Sequence, residues 1–521
     1  MCSVRSKAAL RALIAALVTL VLSPNAWSFP GQLDPNFGTG GLTEVDISPG
    51  AGEKAMAVAR QPDGKYVAAG NVDIPGVDTR LALVRLLYDG TIDTTFGANG
   101  IVVTDLVGNY QTFSAVAVQK DGNIVASGFT LPGTGTSALV LARYTPAGAL
   151  DPTFGTGGLI TSNPSMGTAS ALVIQPDGRI VVAGRDRICC KMDVARYLPN
   201  GQLDPAFGSA GVASFKVPNR WYAETKALLL QPDGKLVVGG GAGNPSGTVD
   251  DVDFVLVRVN DDGTLDTAFG NAGFVTTDFF GGEDEVHSLA LQTNGSIVAG
   301  GVAMNGSNRD FALARYNSSG DLNVSFGTNG LVTIDFGTNW DWVNTVLAQK
   351  NGKIIAAGLG ADDFTLVRYD LYGKLDTSFG NGGIVTTGFT PGPADQIEAA
   401  LMDKGKVVAV GSTSGLFKWG FARYLAGESY AQFERFPLFD PDWWLHGDPV
   451  SLVFGNIFYA PAKLGFAAVG AATGAIVYLG TLGQSETPRF IWRSSIGGDY
   501  FVTSRHLKKG RAPRFVGNAH R

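Results

Sequence analysis

Aromatic and acidic side chains that could bind a ligand are concentrated in four short stretches, 107–113, 216–224, 279–285 and 336–342. Aromatic rings can stack on a sugar or a peptide while neighbouring carboxylates accept hydrogen bonds. The alternative for any single residue is structural, with aromatics capping strand ends and charges keeping the surface soluble. Taken together, the stretches predict a ligand-binding surface that contains Tyr110, Trp221, Tyr222, Glu283, Asp284, Glu285, Trp340 and Trp342.

Catalytic chemistry has weaker support in the sequence. A glycosidase needs two carboxylates that face each other across a sugar, and no spacing here singles out such a pair. Serine–histidine catalysis is disfavoured because His287 is the only histidine between residues 31 and 425. The sequence has no Gly-Lys-Ser/Thr phosphate loop, and its four histidines are too far apart for a local metal motif. We therefore assign no catalytic residue, no metal ligand and no cofactor from the sequence.

The strands and turns that position these residues are predicted from a repeated sequence phrase. The phrase Gly-x-Leu-Asp-x-x-Phe-Gly-x-x-Gly occurs seven times, at intervals of 59, 58, 53, 62, 57 and 53 residues, with Asn323 replacing the aspartate once. Self-similarity at such a period is typical of solenoids and propellers. Its phenylalanines are Phe37, Phe96, Phe154, Phe207, Phe269, Phe326 and Phe379.

Two further phrases recur with the same period. One resembles "QPDGK" and lies between alternating apolar residues, which is typical of a tight hairpin. The other ends in "ARY" or a variant and predicts a third strand, and a fourth strand follows the Phe-Gly phrase. The arginines of the third strand are Arg85, Arg143, Arg196, Arg258, Arg315, Arg368 and Arg423.

Four short strands per unit and seven units predict an all-β, seven-bladed β-propeller over residues 29–425. A solenoid is the alternative, but four antiparallel strands per unit fit a blade better. We expect the strand before the Asp-Gly turn to be innermost and the strand after Phe-Gly to be outermost. The chain then begins with a lone outer strand near 41–45, which can complete the last blade and remove a free edge.

The repeated residues are predicted to be structural, because every blade needs them. The aspartate can accept bonds from backbone N–H groups, and the phenylalanine can fill the space between blades. The arginine can pair with an aspartate or with carbonyl oxygens. Calcium binding by the Asp-Gly turns is disfavoured because they lack alternating acidic ligands.

The unit as a whole resembles the bacterial delta-60 repeat family, whose members are predicted β-propellers. The resemblance covers about residues 31–425 and rests on "GxLDxxFGxxG", "QPDGK" and "ARY" in fixed order. It implies the architecture and an exported setting, and it implies no activity.

Two turns of each unit vary between copies and should share one face of the ring. Binding residues are commonly carried by loops on a rigid framework, so we place the ligand surface on this variable face. The same face is expected to carry the charged residues Arg185, Arg187, Asp250 and Asp251.

Composition narrows the class of partner and the cellular setting. The net charge of -6 argues against nucleic-acid binding. Residues 1–28 have the layout of a secretory signal peptide, with three basic residues followed by an apolar run. The mature chain would meet an oxidising compartment with only Cys189 and Cys190, which we interpret as small side chains on or beside a strand rather than as a strained disulfide.

The C-terminal part follows a different pattern. Residues 426–449 are predicted to be a linker, and 450–483 an apolar Gly/Ala-rich segment. Within it, residues 464–482 carry no charge and are long enough to cross a bilayer, although a buried helix of a small soluble domain is the alternative. The tail 484–521 is basic, which predicts a cytoplasmic end under the positive-inside rule. The region weakly resembles short uncharacterised bacterial envelope proteins.

These patterns predict an exported, membrane-anchored propeller that binds or scaffolds a protein or glycan through its variable face. A cell-envelope carbohydrate-active enzyme, a hydrolase or lyase with carboxylates on the same face, is the alternative hypothesis. The predicted location is the inner membrane with the propeller outside the cytoplasm.

Overall fold

The structure of the protein, a computed structural model, describes residues 29–106, 110–131, 135–161, 166–186, 190–243, 251–337, 340–389, 395–413 and 418–427. In these ranges the chain forms seven four-stranded antiparallel sheets, which are the blades of a β-propeller. The all-β, seven-bladed prediction is therefore confirmed. The predicted signal peptide, linker, apolar segment and basic tail lie outside the described residues, apart from residues 426 and 427.

The strands of the blades are as follows. Blade 1 has β2 (Glu53–Arg60), β3 (Tyr66–Asp73), β4 (Thr79–Leu86) and β5 (Ile101–Thr104). Blade 2 has β6 (Tyr110–Val118), β7 (Ile124–Leu131), β8 (Ala138–Tyr144) and β9 (Leu159–Ile160), and blade 3 has β10 (Ala171–Ile174), β11 (Ile180–Arg185), β12 (Met192–Tyr197) and β13 (Val212–Phe215). Blade 4 has β14 (Tyr222–Leu230), β15 (Leu236–Gly243), β16 (Val252–Val259) and β17 (Phe274–Thr277), and blade 5 has β18 (Asp284–Leu291), β19 (Ile297–Asn305), β20 (Asn308–Tyr316) and β21 (Leu331–Ile334). Blade 6 has β22 (Trp342–Ala348), β23 (Ile354–Gly360), β24 (Asp363–Tyr369) and β25 (Ile384–Thr387), and blade 7 has β26 (Gln396–Asp403), β27 (Lys406–Thr413), β28 (Lys418–Leu425) and β1 (Leu42–Val45).

The first strand of each blade is the innermost one, as the sequence predicts. The strands β2, β6, β10, β14, β18, β22 and β26 each contact the first strand of the next blade, and β26 contacts β2 to close the circle. A closed circle of first strands surrounds the axis of the propeller. The fourth strands therefore form the outer edge.

The hydrophobic core is divided into seven clusters, one at each junction between neighbouring blades. The two middle strands of a blade are buried on both faces, so β3 and β4 are apolar along almost their whole length. The repeated phenylalanine belongs to these clusters and is fully buried in all seven copies. It fills the space between blades, as predicted.

The ring is closed by strands from both ends of the propeller. The strand β1 pairs antiparallel with β28, with Leu42 opposite Ala422 and Val45 opposite Trp419. Asp34, which precedes β1, accepts a 2.7 Å hydrogen bond from Arg423 Nε on β28. The N-terminal strand thus completes blade 7, and the predicted closure is confirmed.

The antiparallel order also separates the two kinds of turn. In each blade the hairpin between the first two strands and the Gly-x-Leu-Asp connection lie at one end of the sheet, which we call the constant face. The loop between the second and third strands and the loop to the next blade lie at the other end, the variable face. The described residues of the predicted site stretches belong to the variable face.

Candidate functional site

An arginine, an aspartate and a phenylalanine form the same cluster on the constant face in six blades, here called the inter-blade clip. The arginine Nε lies 2.7–2.8 Å from an aspartate oxygen. Its guanidinium carbon lies 4.4–4.7 Å from the centre of the phenylalanine ring. In all seven blades the arginine Nη1 donates to a backbone carbonyl of the next blade, at Tyr88, Pro146, Pro199, Asp261, Ser318, Leu371 and Ala426 around the ring.

The aspartate of the clip also shapes its own turn. In the third copy, for example, Asp151 Oδ1 accepts bonds from the backbone N–H of Thr153 at 2.9 Å and from its hydroxyl at 2.7 Å. Although burial opposes the ionised form, these bonds and Arg143 lower the pKa of Asp151. The clip is therefore a structural ion pair, and the repeated residues are fully engaged in joining blades.

Blade 5 carries an incomplete clip. Arg315 donates to the carbonyl of Leu371 at 2.7 Å and lies 4.5 Å from the ring of Phe326, as in the other blades. Asn323 takes the place of the aspartate, and Arg315 Nε has no hydrogen-bond partner. Burial without an anion lowers the pKa of Arg315.

The inner strands share a second repeated device near their variable ends. In six blades the pairing register skips one residue, which forms a β-bulge. The skipped residues are Met56, Ser114, Lys226, His287, Asn344 and Glu398. A bulge takes one residue out of the ladder and re-aims its side chain. We infer that these side chains line the central channel.

A glycine on the second strand is found in every blade and makes room for the bulge in the six blades that have one. A Cβ atom on Gly240 would lie 1.8 Å from the carbonyl oxygen of Glu224, and one on Gly358 would lie 2.0 Å from that of Trp342. The corresponding glycines are Gly70, Gly128, Gly184, Gly240, Gly301, Gly358 and Gly411. The backbone device is constant, although the side chains that it presents are not.

We call the bulge residues, together with the residues two positions before them, the channel mouth. Its members are Lys54, Met56, Thr112, Ser114, Glu224, Lys226, Glu285, His287, Trp342, Asn344, Gln396 and Glu398, with Thr168 and Ser170 at the same places in blade 3. Small hydroxyl residues occupy blades 2 and 3, whereas charged, amide and aromatic residues occupy most places in blades 4 to 7. The mouth is therefore asymmetric on a symmetric framework.

A charged network runs across the mouth between blades 4, 5 and 6. Lys226 Nζ lies 2.8 Å from Glu224 and 4.0 Å from Glu285. Glu285 in turn lies 3.5 Å from His287 Nε2, and His287 Nδ1 lies 3.0 Å from the backbone oxygen of Val343. Three successive inner strands are thus joined by polar side chains.

The network continues on the other side of blade 6. Asn344 Nδ2 donates to the carbonyl of Ile397 at 2.9 Å. Glu398 accepts a 2.8 Å bond from Gln396 and forms a 3.2 Å ion pair with Lys54 of blade 1. Polar groups therefore follow the channel wall over five consecutive blades.

The charges in this network stabilise one another. Burial opposes the ionised form of Glu285, but its bond to His287 and the charge of Lys226 lower its pKa. Burial likewise opposes the ammonium of Lys226, but Glu285 and Glu224 raise its pKa. Burial, with the bond to Glu224, raises the pKa of the Tyr222 hydroxyl. At neutral pH the mouth presents paired charges, with the neutral Tyr222 just above them.

Aromatic side chains surround this polar centre at three blades. Trp221 is 42% exposed and lies 6.2 Å from Tyr222, centre to centre. Trp340 is 54% exposed, with Trp342 at 6.3 Å and the Arg309 guanidinium 4.9 Å from its ring centre. Tyr110, the first residue of β6 in blade 2, is also exposed. Each aromatic group leaves part of its ring surface open for stacking.

The structure divides the eight predicted site residues into three groups. Glu285 and Trp342 belong to the channel mouth, and Tyr110 and Tyr222 begin inner strands just above it. Trp221, Trp340 and Glu283 lie in the loops before inner strands, where Glu283 pairs with Arg309 at 2.5 Å.

Asp284 forms the third group because its side chain is fully buried. Its carboxylate accepts bonds from the backbone N–H groups of Phe279 at 2.7 Å and Met304 at 3.2 Å, and so holds the loop between blades 4 and 5. Burial raises its pKa to about 7. Its oxygens face the backbone, in contrast to those of Glu285.

Sequence reasoning missed Lys226, His287, Asn344, Glu398 and Lys54. These residues lie within strands, whereas the predicted site was sought in loops. A signal was present in the repeat, because the position five residues before the turn phrase varies between copies, from Met56 and Ser114 to Lys226. The bulge that exposes this position has no sequence signature of its own.

One group of acids meets the distance requirement for a metal site. Oxygens of Asp253, Asp278 and Asp284 all lie within 4.8 Å of one another on the variable face. Arg220 forms an ion pair with Asp253, and the backbone occupies Asp284. The charge of this group is therefore already partly balanced by protein.

Several predicted features fall partly or wholly outside the described residues. Arg187, Asp250 and Cys189 are among these, whereas Arg185 ends β11 and Asp251 precedes β16. Cys190 lies in the loop after β11, and its N–H donates to Asp186 at 2.8 Å. Within the described ranges, no helix has the length and apolarity that a bilayer crossing requires.

Comparison with known proteins agrees with this architecture. Residues 61–96, 119–154, 231–269, 292–326 and 349–379 match a family model described as "Domain of unknown function (DUF5122) beta-propeller". Each match runs from the glutamine before an Asp-Gly or Asn-Gly turn to the clip phenylalanine. No match was found among curated proteins.

Solved structures similar to the chain include a streptogramin B lyase, with 12% identity and a TM-score of 0.39 over 74% of this chain and 97% of the other. Sqt1 from Chaetomium thermophilum has 14% identity and a TM-score of 0.42 over 73% and 100%. The polysaccharide lyase Uly1 has 11% identity and a TM-score of 0.43 over 71% and 90%. With the matched repeats and the seven blades, the chain is a β-propeller repeat protein.

Proposed function

We propose that this protein is a binding module that takes a glycan or a protein segment at the channel mouth on its variable face. The observation that carries the proposal is the contrast between constant and variable positions. The clips are nearly identical around the ring, whereas the bulge device presents a different side chain from almost every blade. The bulge keeps the same backbone geometry in each blade while its side chain changes. This combination is suited to ligand recognition, because stability alone would not require different side chains.

The chemistry of the mouth favours a glycan over a protein segment. Paired donors and acceptors from Lys226, Glu285, His287 and Asn344 match the hydroxyl groups of a sugar, and the open rings of Trp221 and Trp340 can stack on its apolar faces. The charges are nearly balanced, which favours a polar ligand without a large net charge. A protein ligand is the other outcome of the test below.

Arrays of glycans and peptides probed with the full-length protein test this proposal. The variants Lys226→Met and Glu285→Gln remove charges from the mouth and should each weaken binding at least tenfold. Lys374→Met is the matched control, because Lys374 is exposed on the constant face. Binding that is lost equally in the control, or kept in both mouth variants, would reject the channel mouth as the site.

A carbohydrate-active enzyme is the second candidate. The carboxylates of Glu224 and Glu285 lie near one ammonium group, at 2.8 and 4.0 Å from Lys226 Nζ. Glycoside hydrolysis needs one carboxyl group that still holds a proton, and the lowered pKa of Glu285 is unsuited to that role. Release of reducing sugar or of an unsaturated product from a bound glycan would favour the enzyme.

The setting that we propose is the cell envelope. The signal-like residues 1–28 and the uncharged residues 464–482 support export followed by membrane anchoring. The three repeated phrases support membership of the delta-60 repeat group. Protease treatment of intact spheroplasts should remove the propeller and spare a tagged tail after residue 484. A propeller that stays protected, or a tail that is released with it, would contradict this placement.

A further inference from the structure

One part of the constant face differs from the rest in its exposed apolar side chains. The residue two positions before the first glycine of each Gly-x-Leu-Asp phrase is exposed in every blade. It is Tyr88 in blade 1, Leu371 in blade 6 and Phe29 in blade 7, which are 38%, 48% and 58% exposed. In blades 2 to 5 the same position holds Pro146, Pro199, Asp261 and Ser318. Three consecutive blades therefore present large apolar groups at a position where the other four do not.

Tyr372 enlarges the apolar group of blade 6. It is 62% exposed, and its backbone carbonyl accepts a 2.8 Å bond from the N–H of Gly327 in blade 5. A Cβ atom on Gly352, in the adjacent hairpin, would lie 2.4 Å from Leu371 Cδ2. The turn is thus held by one neighbour and its leucine lies against another. Among the described residues, the exposed large apolar side chains of the constant face all belong to blades 5, 6, 7 and 1.

Lysines lie at the tips of the neighbouring hairpins. The tip residue is Lys350 in blade 6 and Lys404 in blade 7, and both are exposed. Blades 1, 3 and 4 have a proline followed by an aspartate at the corresponding tip. Lys404 Nζ lies 5.4 Å from the ring centre of Tyr88, so a cation and an aromatic ring are adjacent where blade 7 meets blade 1. We call this set the apolar–basic sector: Phe29, Tyr88, Leu371, Tyr372, Lys350 and Lys404.

Blade 4 has the opposite chemistry at the same positions. Residues 261–262, both aspartates, take the place of residues 371–372, and the hairpin tip carries Asp233. The turn itself is the same in both blades. Its glycine N–H donates to the carbonyl three residues earlier, at 2.9 Å in blade 4 and 3.2 Å in blade 6. The fold therefore does not require the leucine and tyrosine of blade 6, and their exposure needs another explanation.

The described chain also ends beside this sector. The N–H of Ala426 donates to the carbonyl of Gly405 in blade 7 at 2.9 Å, and its own carbonyl accepts a 2.6 Å bond from Arg368 in blade 6. Residues 428–463 thus continue from the constant face, and the uncharged residues 464–482 follow them in the sequence. A membrane anchor at 464–482 belongs to the setting proposed above, and the inference below rests on that proposal.

We propose that the apolar–basic sector contacts the surface of an anionic lipid bilayer. Tyrosine and phenylalanine side chains are suited to the headgroup level, and lysines are attracted to anionic lipids within a short distance of the surface. The apolar groups occupy equivalent places in consecutive blades, so their tips lie at one level, as contact with a flat partner requires. A second copy of the chain is a poorer match, because a stable protein interface needs roughly 20–30 residues a side. This contact leaves the channel mouth pointing away from the membrane.

Hydroxyl-radical footprinting of the full-length protein in vesicles of phosphatidylcholine and phosphatidylglycerol tests this contact. Tyr88 in the sector and Tyr110 on the variable face are 38% and 37% exposed, so the ratio of their oxidation reports cover on the constant face. Leu371→Asp combined with Tyr372→Asp copies the turn of blade 4. The oxidation ratio of Tyr88 to Tyr110 should be about threefold lower in the wild type than in this variant, because the added charges oppose contact with anionic lipid.

Two further variants separate charge from general surface change. Pro199→Asp with Asn200→Asp makes the same change in blade 3, outside the sector, and should keep the wild-type ratio. Lys404→Asn removes a charge from the sector. Lys404 is the first residue of a two-residue turn with a φ of 48°, a conformation that asparagine adopts readily, so this variant should fold. It should raise the ratio in vesicles that contain phosphatidylglycerol.

Flotation of the same samples at alkaline pH reports the membrane anchor separately. Wild-type protein that floats but has the same oxidation ratio as the double aspartate variant would overturn the contact and leave the anchor standing. Protein that does not float would reject the anchor, while the ratio at neutral pH would still decide the contact. Protection of Tyr88 that depends on protein concentration rather than on vesicles would indicate a second copy and would also overturn the proposal.

Discussion

The constant face and the channel mouth are built on the same repeat, yet they differ in what the repeat preserves. On the constant face, Arg196 meets Asp204, Phe207 and the next blade's carbonyl in the same way as its counterparts in other blades. At the channel mouth, the bulge and its glycine recur, but Lys226 and His287 stand where Met56 and Ser114 stand elsewhere.

This difference separates the residues that stabilise the ring from those that can recognise a ligand. A group needed at every junction is repeated at every junction, so repetition marks stability. A ligand is asymmetric and needs different partners on its different sides, so variation on a constant backbone marks recognition. Each prediction below changes one side of this comparison and should leave the other unaffected.

The largest expected effect is on the clip. Arg196→Met should lower the free energy of unfolding by about 3–5 kcal/mol, because it leaves buried Asp204 without its main partner. Arg179→Met is the control, since Arg179 is a partly exposed second cation 3.5 Å from the same carboxylate. The control should cost less than about 1 kcal/mol in the same urea titration. Equal losses in both variants would show that the clip is not the main contact.

The glycine of the bulge should have the next largest effect. Gly240→Ala puts a Cβ atom 1.8 Å from the carbonyl oxygen of Glu224, so we expect a loss of about 2–3 kcal/mol. Gly243→Ala on the same strand is the matched control, because its nearest neighbour would be 3.5 Å away. Denaturant unfolding compares the two variants, and a control as unstable as Gly240→Ala would contradict the steric explanation.

Completing the clip of blade 5 should stabilise the protein. Asn323→Asp gives Arg315 the anion that six other arginines have, and we expect a gain of about 1–2 kcal/mol at pH 7. The pKa of the new carboxyl should be lowered as at Asp151, so the gain should disappear as the pH falls through that lowered value. Asn317→Asp in the nearby exposed turn should give no gain. A destabilised Asn323→Asp would show that Arg315 does not need an anion.

The smallest predicted effect, measured per pH unit, is a pH dependence at the variable face. The pKa of Asp284 is raised to about 7 from an unfolded value of about 3.9, so its protonated form contributes stability that is lost as the pH rises through this window. The slope from this group should be about 1 kcal/mol per pH unit or less. Asp284→Asn should flatten the curve between pH 4 and 7, whereas an unchanged slope would contradict the assignment. Some slope should remain, because burial also raises the pKa of Glu53 to about 7.

The fold was predictable because every blade needs the same turns, strands and contacts with the next blade, and the sequence repeats the residues that form them. The spacing of Asp93 and Phe96 after Gly90, repeated seven times, revealed both the strand order and the closure by residues near Leu42. Local turn chemistry and apolar alternation carry this information directly.

The candidate site was only partly predictable. Trp340 and Trp342 stood out because they lie in a stretch that varies between copies of the repeat, but Lys226 and His287 lie within strands. Their exposure depends on a bulge and on glycines some fifteen residues later, such as Gly240 and Gly301. The full burial of Asp284, between two partly buried acids in sequence, is likewise set by its backbone partners rather than by its neighbours in the chain.

The most direct measurement is a substitution scan that reports folding alone, through protease resistance of the displayed full-length protein. Every amino acid is placed at the clip arginines Arg85, Arg143, Arg196, Arg258, Arg315, Arg368 and Arg423, and at the bulge residues Met56, Ser114, Lys226, His287, Asn344 and Glu398. We expect the clip positions to reject nearly all changes and the bulge positions to accept most polar ones. Bulge positions as intolerant as the clip arginines would mean that the channel mouth serves stability, which would contradict its assignment as the binding site.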